Sequence, residues 1–499
     1  MGVAISSIGL ATAQGGTADI SHNLTLLAAE EWPWPVNGWS TSQRCYPAVG
    51  VSSSLNGIQR WQALIQLALK DCFRDHSPSP EIPIFIGSCN GSAGDSSAGS
   101  WSKAFESAAL LEGTAWAGQC WPVFSSSCSS GLHALYAAGQ VLMSGQADEV
   151  VVLAADILSR SNRENFEVLR VLTDSPMRPW QPTSTGFLLG EAAVVLRLVR
   201  EKSVEAPTCL IGPVLANELT RDDGLPRVLR PLSTANPQLL LGQGTGPFVN
   251  DQSELAAFQN FVEREVPLAT SLVHFGHTLG ASGLLAIALA ALIQQTPRVL
   301  STLVMPTAYA SDGRPMNRGT TIGNCVGNNA QEISNVLVSC RALNGSCAAA
   351  VVGKTDGSQV LEDRRQHRQP EKVWQPSIPT GPLMSTLLRR LADEAPRHRP
   401  IDPPDVLVVR LEEPLAPPPE ASIGGRLLPS AVLEITPGFV SQLIARCWGF
   451  AGPALCLVGH IGNNEATWDL AAAFDDPGLV IAQIDLRGTG DKREIAWSN

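Results

Sequence analysis

The chain has 499 residues, of which 44% are hydrophobic and 16% charged, and its formal net charge is −11. This length allows two or three domains with substantial cores, and the composition is typical of a soluble globular protein. The negative charge argues against broad nucleic-acid binding and against a basic membrane-binding patch. The most apolar helix predicted, over 284–293, is too short to span a bilayer. Eleven cysteines lack zinc-site spacing, so we expect reduced thiols, no metal and a cytoplasmic protein.

Strands and helices alternate in the first part of the chain. Apolar runs predict strands over 3–9, 82–87 and 150–155, and helical periodicity predicts helices over 57–73 and 101–111. Such alternation is typical of a mostly parallel sheet that is covered by helices on both faces. The sequence therefore predicts an α/β fold.

A single cysteine lies where an apolar strand, ending near Phe124, passes directly into a helix. Cys128 stands in the run Ser-Ser-Ser-Cys-Ser-Ser-Gly over 125–131, and apolar residues at helical spacing, beginning with Leu132 and Leu135, support the helix after it. A helix N-terminus that points at the sulfur favours the thiolate and depresses its pKa, and free N–H groups there can hold an oxyanion. Considered alone, the segment also fits a buried structural cysteine.

Two further segments favour a catalytic over a structural role for this cysteine. Residues 276–283 form a glycine-rich turn, Gly-His-Thr-Leu-Gly-Ala-Ser-Gly, and Arg-Pro-Trp at 178–180 is followed by Gly-Phe-Leu-Leu-Gly-Glu-Ala at 186–192. Together with the cysteine elbow, and in this order, these segments resemble the β-ketoacyl-acyl-carrier-protein synthases over roughly residues 1–340. The resemblance implies the thiolase-like fold, an αβαβα layered sandwich of two similar halves.

The resemblance also implies a reaction. In these synthases a cysteine accepts an acyl chain from a carrier-protein thioester, and histidines help to decarboxylate a malonyl thioester whose carbanion attacks the acyl group. Carried over, Cys128 matches the nucleophile and His277 matches the histidine of the glycine-rich turn. Cysteine suits the nucleophile position because its thiolate is both a good nucleophile and a good leaving group. Imidazole suits the histidine position because it donates a hydrogen bond to the developing enolate oxygen. No cofactor is implied.

Several positions depart from the synthase pattern. Gln243 stands in place of the other family histidine, and Leu272 stands in place of the family lysine. Glu254 matches the family glutamate but lacks that lysine as its usual partner. The loop that gates the acyl pocket is replaced by Asn-Cys-Val-Gly at 324–327, which contains Cys325. Because an amide cannot carry the charge or proton of an imidazole, we expect acyl capture to survive better than decarboxylative condensation.

The last third of the chain echoes its beginning. Four apolar runs repeat earlier ones in the same order: 348–353 repeats 3–9, 406–409 repeats 82–87, 451–459 repeats 117–125, and 479–485 repeats 150–156. A predicted helix at 383–392 likewise repeats the one at 57–73. When the two runs are aligned position by position, Gly462 lies opposite Cys128. The sequence thus predicts a synthase-like domain over 1–345, followed over 346–499 by a truncated, non-catalytic copy of its N-terminal half that ends after a fourth strand. Because family synthases dimerise through these halves, the copy is expected to replace the dimer partner in cis, to pair with another chain, or to be a loosely ordered remnant.

Two classes of function fit these features. The first is an acyltransferase of the synthase type that acts on carrier-protein thioesters in fatty-acid or polyketide biosynthesis, with impaired elongation. The second is a non-catalytic partner of an active synthase, such as a chain-length factor; those partners typically lose the nucleophile, whereas Cys128 is kept. The expected partners are an acyl carrier protein and a synthase subunit, in a homo- or heterodimer. A thiolase that acts on coenzyme A esters fits the fold but not the histidine turn.

Overall fold

The structure, a computed structural model, describes residues 2–22, 30–34, 41–74, 76–93, 103–200, 208–262, 266–295, 333–353, 385–415, 422–423, 426–427, 436–459, 480–488 and 493–498. Helices α1 to α11 of these residues are Thr17–His22, Gly57–Phe73, Ser107–Leu110, Ser130–Ser144, Arg160–Val168, Gly224–Leu229, Phe248–Phe261, Leu272–Phe275, Ser282–Gln295, Thr386–Glu394 and Gly438–Trp448. Short 3-10 helices lie at Arg230–Ala235, Leu279–Ala281 and Ala395–His398.

Strands make up the rest of the framework. Strands β1 to β9 are Val3–Ala11, Glu30–Trp34, Thr41–Cys45, Ile84–Gly87, Val123–Phe124, Glu149–Asp156, Ala192–Arg200, Cys209–Asn217 and Leu239–Leu241. Strands β10 to β18 are Leu268–Ala269, Asn335–Arg341, Ser346–Gly353, Val406–Leu411, Ser422–Ile423, Arg426–Leu427, Ala454–Val458, Ile481–Arg487 and Glu494–Ser498. Fourteen of them form one sheet, and the pairs β2–β3 and β14–β15 stand apart.

Helix α2 illustrates how the sequence pattern becomes packing. Trp61, Leu64, Ile65 and Ala68 recur at helical spacing, and all four side chains are fully buried. The helix contacts β1, β6 and β7. Full burial of one large apolar side chain contributes about 1.5–3 kcal/mol, so this stripe fixes α2 to the outer face of the sheet.

Two groups of five strands repeat one order about a shared centre. The first group runs β1-β7-β6-β4-β5 and the second β8-β12-β11-β9-β10, with β1 and β8 paired antiparallel between them. Helices α4 and α9 contact each other, and each contacts strands of both groups, while α2 packs on the first group and α6 on the second. The predicted αβαβα sandwich of two similar halves is therefore confirmed.

A third group of strands extends the sheet beyond β5. It runs β16-β13-β17-β18, and β16 pairs antiparallel with β5, with Leu457 opposite Phe124 and Val458 opposite Val123. β13 is parallel to β16 and β17, and β18 is antiparallel to β17, which are the directions that relate β4, β5, β6 and β7. A partial repeat of the first group would give this order and these directions. The edge of β5 is thus covered by the same chain.

One strand lies elsewhere than the proposed repeat predicts, and one was not predicted. β12, which the sequence analysis assigned to the start of the second copy, pairs with β11 and β8 and completes the second group. Its residues are buried throughout, whereas β1 is only partly buried at its centre. β18 lies beside β17 as β7 lies beside β6, although no fifth strand was predicted. The boundary predicted after residue 345 therefore assigns a strand of the first sandwich to the second unit, and the interpretation of the rest of 346–499 as a truncated synthase copy stays a prediction.

Candidate active site

Serine hydroxyls build the turn between β5 and α4. The Ser126 N–H donates to Ser130 Oγ at 2.9 Å, and Ser130 Oγ donates to the carbonyl of Ser127 at 2.6 Å. Ser129 Oγ donates to the carbonyl of Ser126 at 2.8 Å. Ser127 has a φ of +52°, a conformation uncommon outside glycine. These bonds hold Cys128, which is 3% exposed, at the predicted strand-to-helix elbow.

The thiol of Cys128 is a weaker acid than the sequence suggested. Burial, and then the charge of Asp156, raise its pKa to about 12, against hydrogen bonding from the backbone of Leu343 and of Cys128 itself, which lowers the pKa. The predicted depressed pKa is therefore wrong. A helix N-terminus contributes at most about 2 kcal/mol to a nearby anion, which is less than the cost of burying a thiolate without a counter-ion.

His277 is held as a neutral imidazole in the glycine-rich turn. Its Nδ1 accepts the N–H of Leu279 at 3.1 Å, so the proton of the neutral ring is on Nε2. Burial lowers the pKa of His277 to about 4. The ring stacks on Phe187 with centroids 4.5 Å apart. Its main chain pairs with the Gly-Phe-Leu-Leu-Gly-Glu segment, because the His277 N–H donates to Leu188 O at 2.8 Å and the Gly190 N–H donates to His277 O at 3.1 Å.

The elbow and the histidine turn are in direct contact. A Cβ atom on Gly131, in the first turn of α4, would lie 2.9 Å from the carbonyl oxygen of Gly280. Only glycine at this position allows the two backbones to approach so closely. Cys128 lies three residues before Gly131, and His277 lies three residues before Gly280. The structure therefore brings together the three segments that carry the resemblance.

Asp156, which the sequence analysis did not select, ties this region together at the end of β6. Its Oδ1 accepts from Ser88 Oγ at 2.9 Å and from the Asn90 N–H at 3.0 Å. Its Oδ2 accepts the N–H groups of Cys89 at 2.9 Å and Gly280 at 2.7 Å. Burial nevertheless raises the pKa of Asp156 to about 7. An acid directly after the apolar run at 150–155 was the available signal.

The Gln243 side chain is committed to the end of β11. Its Oε1 accepts the N–H of Arg341 at 2.7 Å, and its Nε2 lies 3.1 Å from Cys340 Sγ. Cys340 in turn lies 3.3 Å from the carbonyl oxygen of Cys128. Gln243 is therefore linked to Cys128 through one intervening cysteine, which the sequence analysis missed.

Glu254 has partners other than the family lysine. Its carboxylate accepts the N–H of Gln243 at 2.8 Å, the N–H of Gly244 at 2.9 Å and the indole N–H of Trp180 at 2.8 Å. Burial raises its pKa. Glu254 lacks the family lysine, but backbone and indole donors surround its carboxylate, and the Arg-Pro-Trp segment supplies one of them.

Leu272 lies in an apolar cluster beside the histidine ring. Its side chain is 5% exposed and belongs to a cluster that includes Phe166, Phe187, Leu189 and Leu279. Phe187 of this cluster stacks on the imidazole. The site that carries lysine in the resembled synthases is therefore an apolar wall in this chain.

A turn near the start of β12 contacts Cys128. Cys325 and residues 324–327 lie outside the described residues. Residues 342–345, between β11 and β12, form a turn in which the Gly345 N–H donates to Ala342 O at 2.9 Å. The backbone of Leu343 hydrogen-bonds the Cys128 thiol, and its side chain is 43% exposed. This 342–345 turn thus lies beside the Cys128 thiol.

A second buried histidine, not selected from the sequence, supports the elbow from within. His133 Nδ1 lies 3.1 Å from Ser126 Oγ, and Nε2 lies 2.8 Å from Ser346 Oγ. Ser129 Oγ donates to Ser346 Oγ at 3.1 Å. Burial lowers the pKa of His133 to about 3, so the ring is neutral. This network joins the elbow to the residue that follows the 342–345 turn.

The described residues contain neither a cluster of metal-ligating side chains nor a helix that could span a membrane. In them no three or more His, Cys, Asp or Glu side chains cluster as metal ligands would. None of the helices in the described part of the chain has both the length and the apolar character needed to cross a bilayer.

Comparison with known sequences points to one family. The sequence model for "Beta-ketoacyl synthase, N-terminal domain" matches residues 122–203. The tetracenomycin polyketide synthase ketoacyl synthase alpha subunit of Streptomyces glaucescens is 26% identical over 260 residues, which are 46% of this chain and 59% of that protein. The putative polyketide beta-ketoacyl synthase 1 of Streptomyces virginiae is 27% identical over 199 residues, 35% of this chain and 47% of that protein. The chain thus spans about half the length of these relatives.

Solved structures give the same fold. A PfaC keto synthase–chain length factor superposes with a TM-score of 0.68 at 12% identity, covering 97% of this chain and 74% of its own. The ketosynthase ApeO in complex with its chain length factor ApeC, from Xenorhabdus doucetiae, has a TM-score of 0.52 at 20% identity, covering 70% of this chain and 98% of its own. At these identities the likeness concerns the fold alone.

Proposed function

Since this chain is a thiolase-fold protein of the β-ketoacyl synthase family, we propose that it transfers acyl groups from a carrier-protein thioester to Cys128 and condenses them weakly or not at all. The Cys128 sulfur attacks the thioester carbonyl, a new carbon–sulfur bond forms, and the carrier thiol leaves with the proton from Cys128. The contact between Gly131 and Gly280, which holds the cysteine elbow against the turn of a neutral histidine, carries this proposal.

The donors around the thiol suit acylation. The Leu343 backbone hydrogen-bonds the Cys128 sulfur, and backbone N–H groups at such a position stabilise the oxyanion of an acyl-transfer intermediate. His277 is neutral and carries its proton on Nε2, so it can donate a hydrogen bond to a carbonyl oxygen. Neither role requires a charged side chain.

Condensation needs more than these groups supply. Both ends of the Gln243 amide are engaged, Oε1 by Arg341 and Nε2 by Cys340, and Leu272 offers no cation. Loss of one oxyanion donor typically costs about 2.7–4 kcal/mol of transition-state stabilisation. We therefore place the chain at an acyl-transfer or acyl-holding step of polyketide-type or fatty-acid biosynthesis.

The proposed partners follow from this chemistry. One of the similar structures is titled as a type II polyketide synthase acyl-carrier protein in complex with its ketosynthase, and two others as ketosynthases with a chain length factor. For this chain we propose an acyl carrier protein as the donor and a synthase subunit as a further partner. The segment after Gly353 is proposed to be non-catalytic; Gly462, opposite Cys128 in the repeat, lies outside the described residues.

Intact-protein mass tests the acyl transfer. The natural protein, Cys128→Ala and Cys340→Ala are each incubated with an acyl-carrier thioester. One acyl adduct is expected on the natural protein and on Cys340→Ala, and none on Cys128→Ala. Equal labelling of Cys128→Ala would place the acyl group elsewhere and overturn the assignment.

A second function is favoured by the state of the thiol. Burial raises the Cys128 pKa to about 12, which suits a scaffold that needs no nucleophile. In that case the chain acts as a partner that shapes an active synthase, as chain-length factors do. The absence of an adduct on any variant, together with a changed product length when the chain is added to an active ketosynthase, would support this function in place of the first.

A further inference from the structure

We propose that helix α11 positions the 342–345 turn over Cys128, with Arg446 as the positioning residue; the inference rests on the proposed acyl transfer at Cys128. α11 belongs to the segment after Gly353, and the turn lies between β11 and β12 of the first sandwich. The segment thus acts on the site although it supplies no catalytic residue.

One face of α11 lies on the first sandwich. Gly438, Gln442 and Arg446 recur four residues apart and therefore lie on one side of the helix. A Cβ on Gly438 would lie 2.7 Å from the carbonyl oxygen of Ser125, so the helix backbone touches the cysteine elbow. Gln442 Nε2 donates to Asn217 Oδ1 at the end of β8.

Arg446 holds the other end of this face against the turn. Its Nη2 donates to the carbonyl of Asn344 at 3.4 Å, and its Nε donates to the carbonyl of Glu218 at 3.2 Å. The guanidinium lies so close to Gly345, whose φ is +89°, that a Cβ there would come within 2.7 Å of Nη2. Glu218 also binds this turn, because its N–H donates to Gly345 O at 2.8 Å.

The position of this turn controls how accessible the Cys128 thiol is to reagents and how fast it is acylated, and it affects the two in opposite directions. The turn lies against the elbow, because Ser346, which follows it, accepts from Ser129 Oγ at 3.1 Å, and the Leu343 backbone hydrogen-bonds the Cys128 sulfur. When the turn is released, a small reagent reaches the sulfur more often. The Leu343 N–H is then no longer held where an oxyanion would form, so acyl transfer slows.

The test compares variants of the full chain. Arg446→Ala removes both donors, and Arg446→Lys keeps the charge with a single donating atom. Arg410→Ala is the matched control, since it removes the ion pair between Arg410 Nε and Asp485 Oδ1, 2.7 Å apart within the same segment, without touching the turn. Alkylation of Cys128 by iodoacetamide is followed by peptide mass, with Cys89 and Cys340 monitored in the same digests. Acyl transfer from an acyl-carrier thioester is measured in parallel.

For Arg446→Ala we expect Cys128 alkylation to rise and acylation to fall, each by about five- to thirty-fold, with Cys89 and Cys340 unchanged. Arg446→Lys should give intermediate values, and it carries the test if Arg446→Ala fails to fold. The proposal is overturned if Cys128 alkylation is unchanged in the folded Arg446 variants, or if Arg410→Ala raises it equally. If even the natural protein accepts no acyl group, the proposed function fails, whereas the alkylation rates still decide the role of Arg446.

Discussion

Glu254 accepts the backbone N–H of Gln243 at 2.8 Å, so the loop that carries Gln243 is anchored through its main chain. The adjacent Gly244 N–H donates to the other carboxylate oxygen at 2.9 Å. Because this anchor does not involve the Gln243 side chain, that side chain can be replaced while the loop stays in place.

Replacement of Gln243 by histidine is expected to raise decarboxylation of a malonyl thioester. The imidazole restores a group that can carry a proton and stabilise the enolate, and such groups contribute about 10²- to 10⁴-fold in other enzymes. Carbon dioxide release is measured for the natural protein, Gln243→His and the control Gln243→Met. Fast release by the natural protein would show that the Gln243 amide suffices.

Leu272→Lys is expected to destabilise the fold and not to repair the site. Leu272 is packed among aromatic and aliphatic side chains that offer no counter-ion to a buried ammonium group. We expect a loss of about 2–5 kcal/mol in unfolding free energy from urea titration, compared with less than about 1.5 kcal/mol for the volume-conserving Leu272→Met. Equal stability of the two variants would mean that the lysine finds an acidic or solvated partner.

Asp156 and Asp251 should lower the unfolding free energy as the pH rises from about 4 to about 7. Burial raises their pKa from 3.8 to about 7, so in this window the folded protein holds protons that the unfolded chain has lost. His133 and His277 act in the opposite direction, because burial lowers their pKa from 6.5 to about 3 and about 4. The contribution of Asp156 is therefore measured as a difference: in urea unfolding at several pH values, the slope of unfolding free energy against pH should be more positive for Asp156→Asn than for the natural protein. Identical slopes for the two proteins would show that Asp156 ionises freely in the folded state.

The segment after Gly353 should remain bound when the connection to it is cut. β16 pairs with β5, the Ser125 N–H donates to Cys456 O at 2.9 Å, and the Asn217 N–H donates to Ala451 O at 3.0 Å. A protease site is inserted between residues 354 and 384, the protein is cleaved, and size-exclusion chromatography shows whether the two pieces co-elute.

A variant with proline in β16 serves as the control in which the cleaved fragment is expected to dissociate. Leu457→Pro removes a donor from the ladder and should release the fragment, whereas Glu494→Pro at the start of the edge strand β18 should not. Separation of the pieces in the cleaved natural sequence would contradict docking in cis. Truncation after residue 345 is not a suitable test, because it would remove β12 from the first sandwich.

Alkylation of Cys128 should be slow near neutral pH and should still increase above pH 9. Its thiol pKa is raised to about 12, so only a small fraction is thiolate at pH 8. The exposed Cys120 is an internal reference in the same protein and should react first. Preferential labelling of Cys128 at pH 7 would show that the helix N-terminus outweighs burial after all.

The local pattern of the sequence was enough to predict much of the fold. Apolar periodicity predicted α2 over the residues at which it occurs, and the small-residue run around Cys128 predicted a strand-to-helix elbow. These features depend on neighbours a few residues apart, which the sequence displays directly. The order and direction of β13, β16 and β17 also follow the repeat that the sequence suggested.

Tertiary structure alone decided how the site is assembled and how acidic its thiol is. The pKa of Cys128 depends on its burial and on Asp156, 28 positions away in the chain, and not only on the helix that follows it. The partners of Glu254 are backbone groups that no motif records, and β12, which the sequence analysis matched to β1, pairs with β8 and β11. The contact of Arg446 with the 342–345 turn joins residues about a hundred positions apart. Desolvation, backbone hydrogen bonding and strand partnership are set by long-range packing, so the sequence determined the elements and their chemistry, and the fold decided which of them meet.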